Sequence, residues 1–303
     1  MKKSINYWCM GIEANLEDAC RLASDAGYEA IELTVDETGP VLPKEKVSNL
    51  KKILKTVRES GLEVSSLATG MLWTNSLSSA DAKIRAKGKA IIKGMLESAS
   101  VLETDAILVV PGAVDVFFLP ELPRVRYQDA WNRSQEIIGE LMPTAEKCGV
   151  AMALENVWNK FLLSPLEMRD YIDLFQSPFV GAYVDVGNML LYGYPDDWLL
   201  TLGPRVKRVH IKDFNNAVGT SQGFCDLLEG SINWSDVMTA LKDIHYTSYL
   251  TVEIFPYAQQ PTVRLYNSSA SLDCIVRMRR SKNIKKGSNG FKTLLNPQKK
   301  KSK

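Results

Sequence analysis

Short apolar, β-branched runs alternate along the chain with longer stretches whose apolar residues recur every three to four positions. Buried strands produce the first pattern and amphipathic helices the second. The runs predict strands over 4–9 (SINYWC), 29–35 (EAIELTV), 63–69 (EVSSLAT), 105–111 (DAILVVP), 149–155 (GVAMALE), 180–185 (VGAYVD), 206–211 (VKRVHI) and 248–254 (SYLTVEI). Helical periodicity fills the gaps over 14–26, 44–60, 79–103, 126–148, 164–175, 195–203, 232–244 and 259–280.

The punctuation agrees with this alternation. AGYEAIEL, SGLEVSSL and KCGVAMAL each place a glycine between a helical stretch and the next strand, where a left-handed residue closes the last helical turn. SPLEMRDYI and SINWSDVM read as helix starts with a Ser cap, the first reinforced by Pro165 and Glu167. Eight uninterrupted strand–helix units predict a parallel sheet closed into a single (β/α)8 TIM barrel over 1–280. A doubly wound open sheet is the rival, but its GxGxxG fingerprint after the first strand is missing.

Four of the apolar runs end on residues that bind metals: ALENVWNK on Glu155, GAYVDVGN on Asp185, RVHIKDF on His210 and YLTVEIFP on Glu253. In a parallel barrel all C-terminal strand ends gather at one rim, so these residues are expected to meet there. Three carboxylates in a half-buried mouth repel one another and lose hydration. A divalent cation removes that penalty, and three oxygen donors with one imidazole suit a fairly hard ion. Mn²⁺ is the first choice, with Co²⁺, Mg²⁺ and Zn²⁺ open. If His210 points into the mouth, Arg208 should point inward below it and needs a partner. His245 precedes the last strand and belongs to the opposite face.

Composition changes little in this picture. A chain of 303 residues with 45% hydrophobic content can bury a sizeable core. No apolar run approaches the roughly 18–20 residues that cross a bilayer. The start, MKKSINYWCMGIEANLEDAC, lacks the apolar segment of a secretory leader, so a cytoplasmic protein is expected, without membrane partners. Five cysteines (9, 20, 148, 225 and 274), with no CxxC pair, read mostly as small buried hydrophobes. Charge is more informative. Eight lysines and no acids lie between Lys282 and Lys303, and removing them from the net +2 leaves the rest of the chain at −6. Residues 281–303 therefore read as a flexible, disordered lysine-rich tail on an acidic body that has no basic face for nucleic acid.

The segments LENVWNKFLLSP, YVDVGNMLLYGYP, RVHIKDF, GFCDLLEGSINW and TVEIFP resemble the xylose-isomerase-like TIM-barrel superfamily of sugar and sugar-phosphate isomerases and epimerases. The likeness spans about residues 3–275 and is closest to L-xylulose- or L-ribulose-5-phosphate 3-epimerase-like members. It implies one divalent metal on Glu155, Asp185, His210 and Glu253, with Glu155 and Glu253 doubling as an acid–base pair. The partner is then a small sugar or sugar phosphate; a homo-oligomer is left open. Two glutamates on opposite faces of an enediolate give 3-epimerisation of a ketopentose 5-phosphate. Transfer on one face gives aldose–ketose isomerisation of the hydroxypyruvate or hexulose-phosphate type, and a non-catalytic sugar-binding barrel is the alternative of another class.

Superfamily enzymes that epimerise free ketohexoses carry a His and an Arg where this chain has Asn188 and Asn216. Asn188 is still expected to hydrogen-bond a substrate hydroxyl. Lys212 reads as a contact for an anionic substrate group, with pairing to Asp213 or a metal-binding carboxylate as the alternative. Trp158, together with Trp8 and Trp73, is expected to wall the pocket, and Glu32 to receive a sugar hydroxyl. The long PGAVDVFFLPELPRVRYQ segment is expected to act as a lid. Apurinic endonucleases of the endonuclease IV type share the barrel, but their trinuclear zinc site draws on many histidines and this chain has two.

Overall fold

The structure, a computed structural model, describes residues 1–11 and 14–278. The basic tail expected over 281–303 lies outside the described residues. Strands and helices alternate in chain order as β1 (Lys2–Asn6), α1 (Leu16–Asp25), β2 (Ala30–Thr34), α2 (Val47–Glu59), β3 (Glu63–Ala68) and α3 (Ala82–Val101). They continue as β4 (Ala106–Val109), α4 (Tyr127–Cys148), β5 (Ala151–Glu155), α5 (Pro165–Asp173), β6 (Val180–Asp185), α6 (Pro195–Leu202) and β7 (Val206–Ile211). A short antiparallel ribbon, β8 (Asp213–Phe214) with β9 (Phe224–Cys225), precedes α7 (Trp234–Asp243), β10 (Tyr249–Val252) and α8 (Pro261–Ile275). The eight long strands close in the order β1-β10-β7-β6-β5-β4-β3-β2, every neighbouring pair parallel. This is the (β/α)8 barrel that the alternation predicts.

Local chemistry explains most boundaries. Gly149 ends α4 at φ 67°, and Gly27 and Gly61 occupy the same left-handed region after α1 and α2. Ser164 caps α5 by accepting from the Glu167 N–H, and Glu167 in turn accepts from the Leu163 N–H. The Ser cap expected for α7 is not formed. Asn233 occupies the cap position, and Ser231 instead accepts from the Asn216 N–H. The first strand also stops earlier than its apolar pattern suggests. The Asn6 side chain accepts from the Trp8 N–H, and Tyr7–Met10 form a 3-10 turn. All five cysteines are free, but only Cys9 and Cys20 are buried.

The barrel interior is unusually polar. Ser4 and Ser65 hydroxyls meet at 2.7 Å, and Asn6, Glu32, Ser66, His210 and Thr251 are all buried. The large apolar residues go instead to the layer between sheet and helices, as with Leu33, Leu67, Ile92, Ile138 and Leu241. Arg208 points inward as expected and finds its partners on the barrel floor. Its guanidinium donates to the Ser65 carbonyl at 2.7 Å, the Lys207 carbonyl at 2.8 Å and Ser248 Oγ at 3.1 Å, and pairs with Asp105. It also lies over the Tyr249 ring. Every nitrogen of the buried guanidinium thus has a partner, as a low-dielectric interior demands. No helix among the described residues is long and apolar enough to cross a membrane.

Candidate metal centre

Glu155, Asp185 and His210 stand at or near the ends of β5, β6 and β7, and Glu253 directly follows β10. Register brings them level. Asp185 pairs with His210 across β6 and β7, and the Glu253 N–H donates to the Ile211 carbonyl at 3.1 Å. One ligand atom from each of the four lies within 4.8 Å of the other three. Residues spread over 98 positions of sequence, from 155 to 253, therefore form one cluster at the barrel mouth.

The asparagine of ALENV explains part of the construction. Asn156 donates from Nδ2 to the Asp185 carbonyl at 2.8 Å, and its Oδ1 accepts from the Asp185 N–H at 2.9 Å. This two-way bond ties the end of β6 to the residue after Glu155. Asp185 Oδ1 then accepts from the N–H groups of Gly187 and Asn188 at 2.8 and 2.9 Å, which aims Oδ2 into the cluster. Only glycine fits at 187, since a Cβ there would sit 2.9 Å from the Lys212 carbonyl oxygen.

His210 Nδ1 lies 3.0 Å from Glu155 Oε1 and 3.4 Å from Glu253 Oε2, and Nε2 lies 2.8 Å from Glu32 Oε2. Burial opposes charge on the imidazole, but Glu32 and Glu253 outweigh it and hold its pKa well above 6.5. Burial pushes the Glu155 carboxyl up to about 7; Glu253 and Asp185 push the same way, and His210 opposes them. The Lys212 ammonium sits 3.0 Å from Asp185 Oδ2 and in direct contact with Glu253 Oε2. Burial works against its charge, but those two carboxylates hold it protonated.

These groups fit a divalent cation. Asp185 Oδ2 and Glu253 Oε2 are shielded from solvent and receive no well-directed hydrogen bond; Lys212 is their ion-pair partner. Buried carboxylate oxygens without donors are costly. An ion held by Glu155, Asp185, His210 and Glu253 satisfies both, in an oxygen-rich set that suits Mn²⁺, Co²⁺, Mg²⁺ or Zn²⁺.

The surrounding residues divide into two groups. Trp158 stands in an aromatic wall, with ring centroids 5.3 Å from Phe224, 5.6 Å from Phe214 and 5.8 Å from Phe117, and its Nε1 donates to the Asn188 carbonyl. Phe117 leads to Phe118 and on to Trp73, so the segment expected as a lid spans the rim from Trp73 to Trp158. Asn188 is buried and uses Nδ2 on the Asn156 carbonyl at 3.0 Å. Asn216 is exposed on the loop after β8, and His245 is exposed where α7 ends, away from the mouth. Glu32 is not where the expectation put it. It lies beneath His210 with no solvent exposure, and both oxygens are taken, Oε1 by Ser66 and Tyr183 and Oε2 by Asn6 and His210. No sugar hydroxyl can reach it.

The xylose isomerase-like TIM barrel family model matches residues 20–273. The chain belongs to this family. Among its relatives, the L-ribulose-5-phosphate 3-epimerase UlaE of Salmonella typhimurium is 24% identical over 240 residues, covering 78% of this chain and 80% of that protein. The D-psicose 3-epimerase of Clostridium cellulolyticum H10, crystallised with D-tagatose, superposes with a TM-score of 0.75 at 20% identity, over 91% of this chain and 98% of the other. The IolI protein, crystallised with a zinc atom, superposes with a TM-score of 0.73, also at 20% identity and over 91% and 98% of the two chains. At such identities the superpositions report the shared fold.

Within this xylose isomerase-like barrel, sequence reasoning missed Asn6, Ser66, Tyr183 and Asn156, which hold the cluster from below and from the side. Asn156 had a local signal, a polar side chain next to Glu155 where the chain leaves the strand. Tyr183 had one too, since it shares the inward face of β6 with Asp185 two residues on.

Proposed function

We propose that this xylose isomerase-like barrel is a metal-dependent sugar-phosphate epimerase that inverts C3 of a ketopentose 5-phosphate. The observation that carries this reading is the convergence of Glu155, Asp185, His210 and Glu253 at one mouth, two of the four being glutamates able to exchange protons. A divalent ion bound there, Mn²⁺ in the first instance, supplies Lewis-acid stabilisation of the charge that develops on the ketone oxygen. The chain supplies the proton chemistry. One glutamate of the Glu155–Glu253 pair takes the proton from C3, and the other returns one to the opposite face of the planar enediolate.

Trp158, with Phe117 and Phe224, offers an apolar wall to the carbon face of a sugar. Asn188 and Lys212 are the proposed polar contacts, Lys212 being the cation beside the cluster. Support for a phosphorylated five-carbon ketose comes from the relatives named as L-ribulose-5-phosphate 3-epimerases.

The test is proton NMR of a panel of ketoses and ketose phosphates incubated in D₂O with Mn²⁺-loaded protein, the metal being removed before spectra are recorded. Deuterium at C3 with a new diastereomer is the expected result. Deuterium at C1 or C2 with an aldose product would reassign the site to an isomerase, and no exchange with any sugar would leave a binding barrel.

A further inference from the structure

A fully buried carboxylate lies in the barrel interior beneath His210, and the side chains around it are arranged about one contact. Glu32 Oε2 is 2.8 Å from His210 Nε2. Its strand, β2, is not a neighbour of β7 in the ring, so this contact crosses the barrel interior. Ser66 Oγ and the Tyr183 hydroxyl each donate to Glu32 Oε1 at 2.6 Å, and Asn6 Nδ2 donates to Oε2. The Tyr183 ring also packs against the imidazole with centroids 4.3 Å apart. A register shift helps to build the nest. Ile31 pairs with Val64 but Glu32 pairs with Ser66, so Ser65 is an extra residue in β3. With that insertion both serines bond to interior groups, Ser65 to Ser4 and Ser66 to Glu32.

We propose that Glu32 is a positioning residue for the metal centre: it holds the His210 ring with Nε2–H toward the barrel floor, leaving Nδ1 as the single atom presented to a divalent ion. The proposal rests on the metal reading given above. A side chain with two nitrogens able to bind a metal and a free ring torsion is a poor ligand until one nitrogen is committed elsewhere, and a carboxylate acceptor makes that commitment. A core in need of filling alone gains little from a buried charge, since well-packed apolar side chains serve at least as well. Asn6, Ser66 and Tyr183 fix the acceptor, and the acceptor fixes the ring.

The experiment compares Mn²⁺ affinity by titration calorimetry, and the visible spectrum of the Co²⁺-loaded protein, for the unaltered chain, Glu32→Gln and Tyr183→Phe. Glu32→Gln is expected to keep its far-ultraviolet circular dichroism, to bind Mn²⁺ about 10–100-fold more weakly, and to show an altered Co²⁺ spectrum. Tyr183→Phe leaves Glu32 against His210 and is expected to weaken binding less. Should Glu32→Gln fail to fold, the double variant Ser66→Ala with Tyr183→Phe loosens Glu32 without removing it, and weaker Mn²⁺ binding is again expected. Unchanged affinity with an unchanged Co²⁺ spectrum in Glu32→Gln, or in the double variant where Glu32→Gln does not fold, overturns the positioning role alone. Failure of the unaltered protein to bind Mn²⁺ or Co²⁺ overturns the metal reading and this proposal with it.

Discussion

Replacing Lys212 with Met isolates the balance of charge in the metal-free cluster. The ammonium lies 3.0 Å from Asp185 Oδ2 and touches Glu253 Oε2, with its side chain 13% exposed. Met keeps most of the length and the apolar stem, so contact with the Phe224 ring, now 5.1 Å from Nζ, is largely retained. Only the charge is lost. Two unit charges about 4 Å apart attract by roughly 4 kcal/mol at an effective dielectric of 20, and removing one partner of a buried pair costs about 3–5 kcal/mol. Proton uptake by the abandoned carboxylates recovers part of this, leaving a loss of about 2–4 kcal/mol. At roughly 2 °C per kcal/mol for a domain of this size, Lys212→Met without metal should melt about 4–8 °C lower. The same change removes a cation that opposes metal binding, so Mn²⁺ affinity should rise by about tenfold, equivalent to about 1.4 kcal/mol. Differential scanning calorimetry of chelator-treated protein reads the first quantity and titration calorimetry the second. An unchanged metal-free melting temperature together with unchanged Mn²⁺ affinity would refute the idea that Lys212 balances these carboxylates.

Three further outcomes are expected. Glu155→Gln and Glu253→Gln should each lower hydrogen–deuterium exchange at the substrate carbon by about 10²–10⁴; full exchange in either variant removes that residue from the acid–base pair. The Glu155 carboxyl is raised to about 7 from 4.5, so its contribution to metal-free stability is fully present below about 4.5 and is lost as pH rises through about 7. Bound metal requires the ionised form, so the melting-temperature increment from Mn²⁺ should grow between about pH 6 and 8, and a flat increment contradicts this origin. Arg208→Met should cost about 1–3 kcal/mol in urea unfolding because it takes a donor from a buried neutral acceptor, the Ser65 carbonyl. Asp105→Asn, whose carboxylate is 78% exposed, should cost no more than about 1 kcal/mol, and equal effects would show that the ion pair rather than burial sets the cost.

The alternation of strands and helices, the capping of α5 by Ser164 and the left-handed Gly149 were legible because contacts between near neighbours in the chain produce them. The four cluster residues were legible for a related reason. A parallel barrel sends every C-terminal strand end to one rim, so a polar residue ending an apolar run has a predictable destination. Contacts across the barrel interior leave no such local mark. Glu32 reads as one more strand-end carboxylate, and nothing in EAIELTV says that it sits under His210, 178 positions away. Its burial depends on the extra residue in β3 and on which strands face each other once the ring closes. Arg208 and Asp105 likewise meet only on the closed floor, 103 positions apart. For Lys212 the sequence left an anionic substrate or a neighbouring carboxylate, and the register of β6, β7 and β10 sets its ammonium between Asp185 and Glu253. The sequence by itself determined which residues stand at the rim, because side-chain alternation and strand direction are local properties of the chain. Which of them touch was decided by closure and register, and these follow only from packing the whole barrel at once.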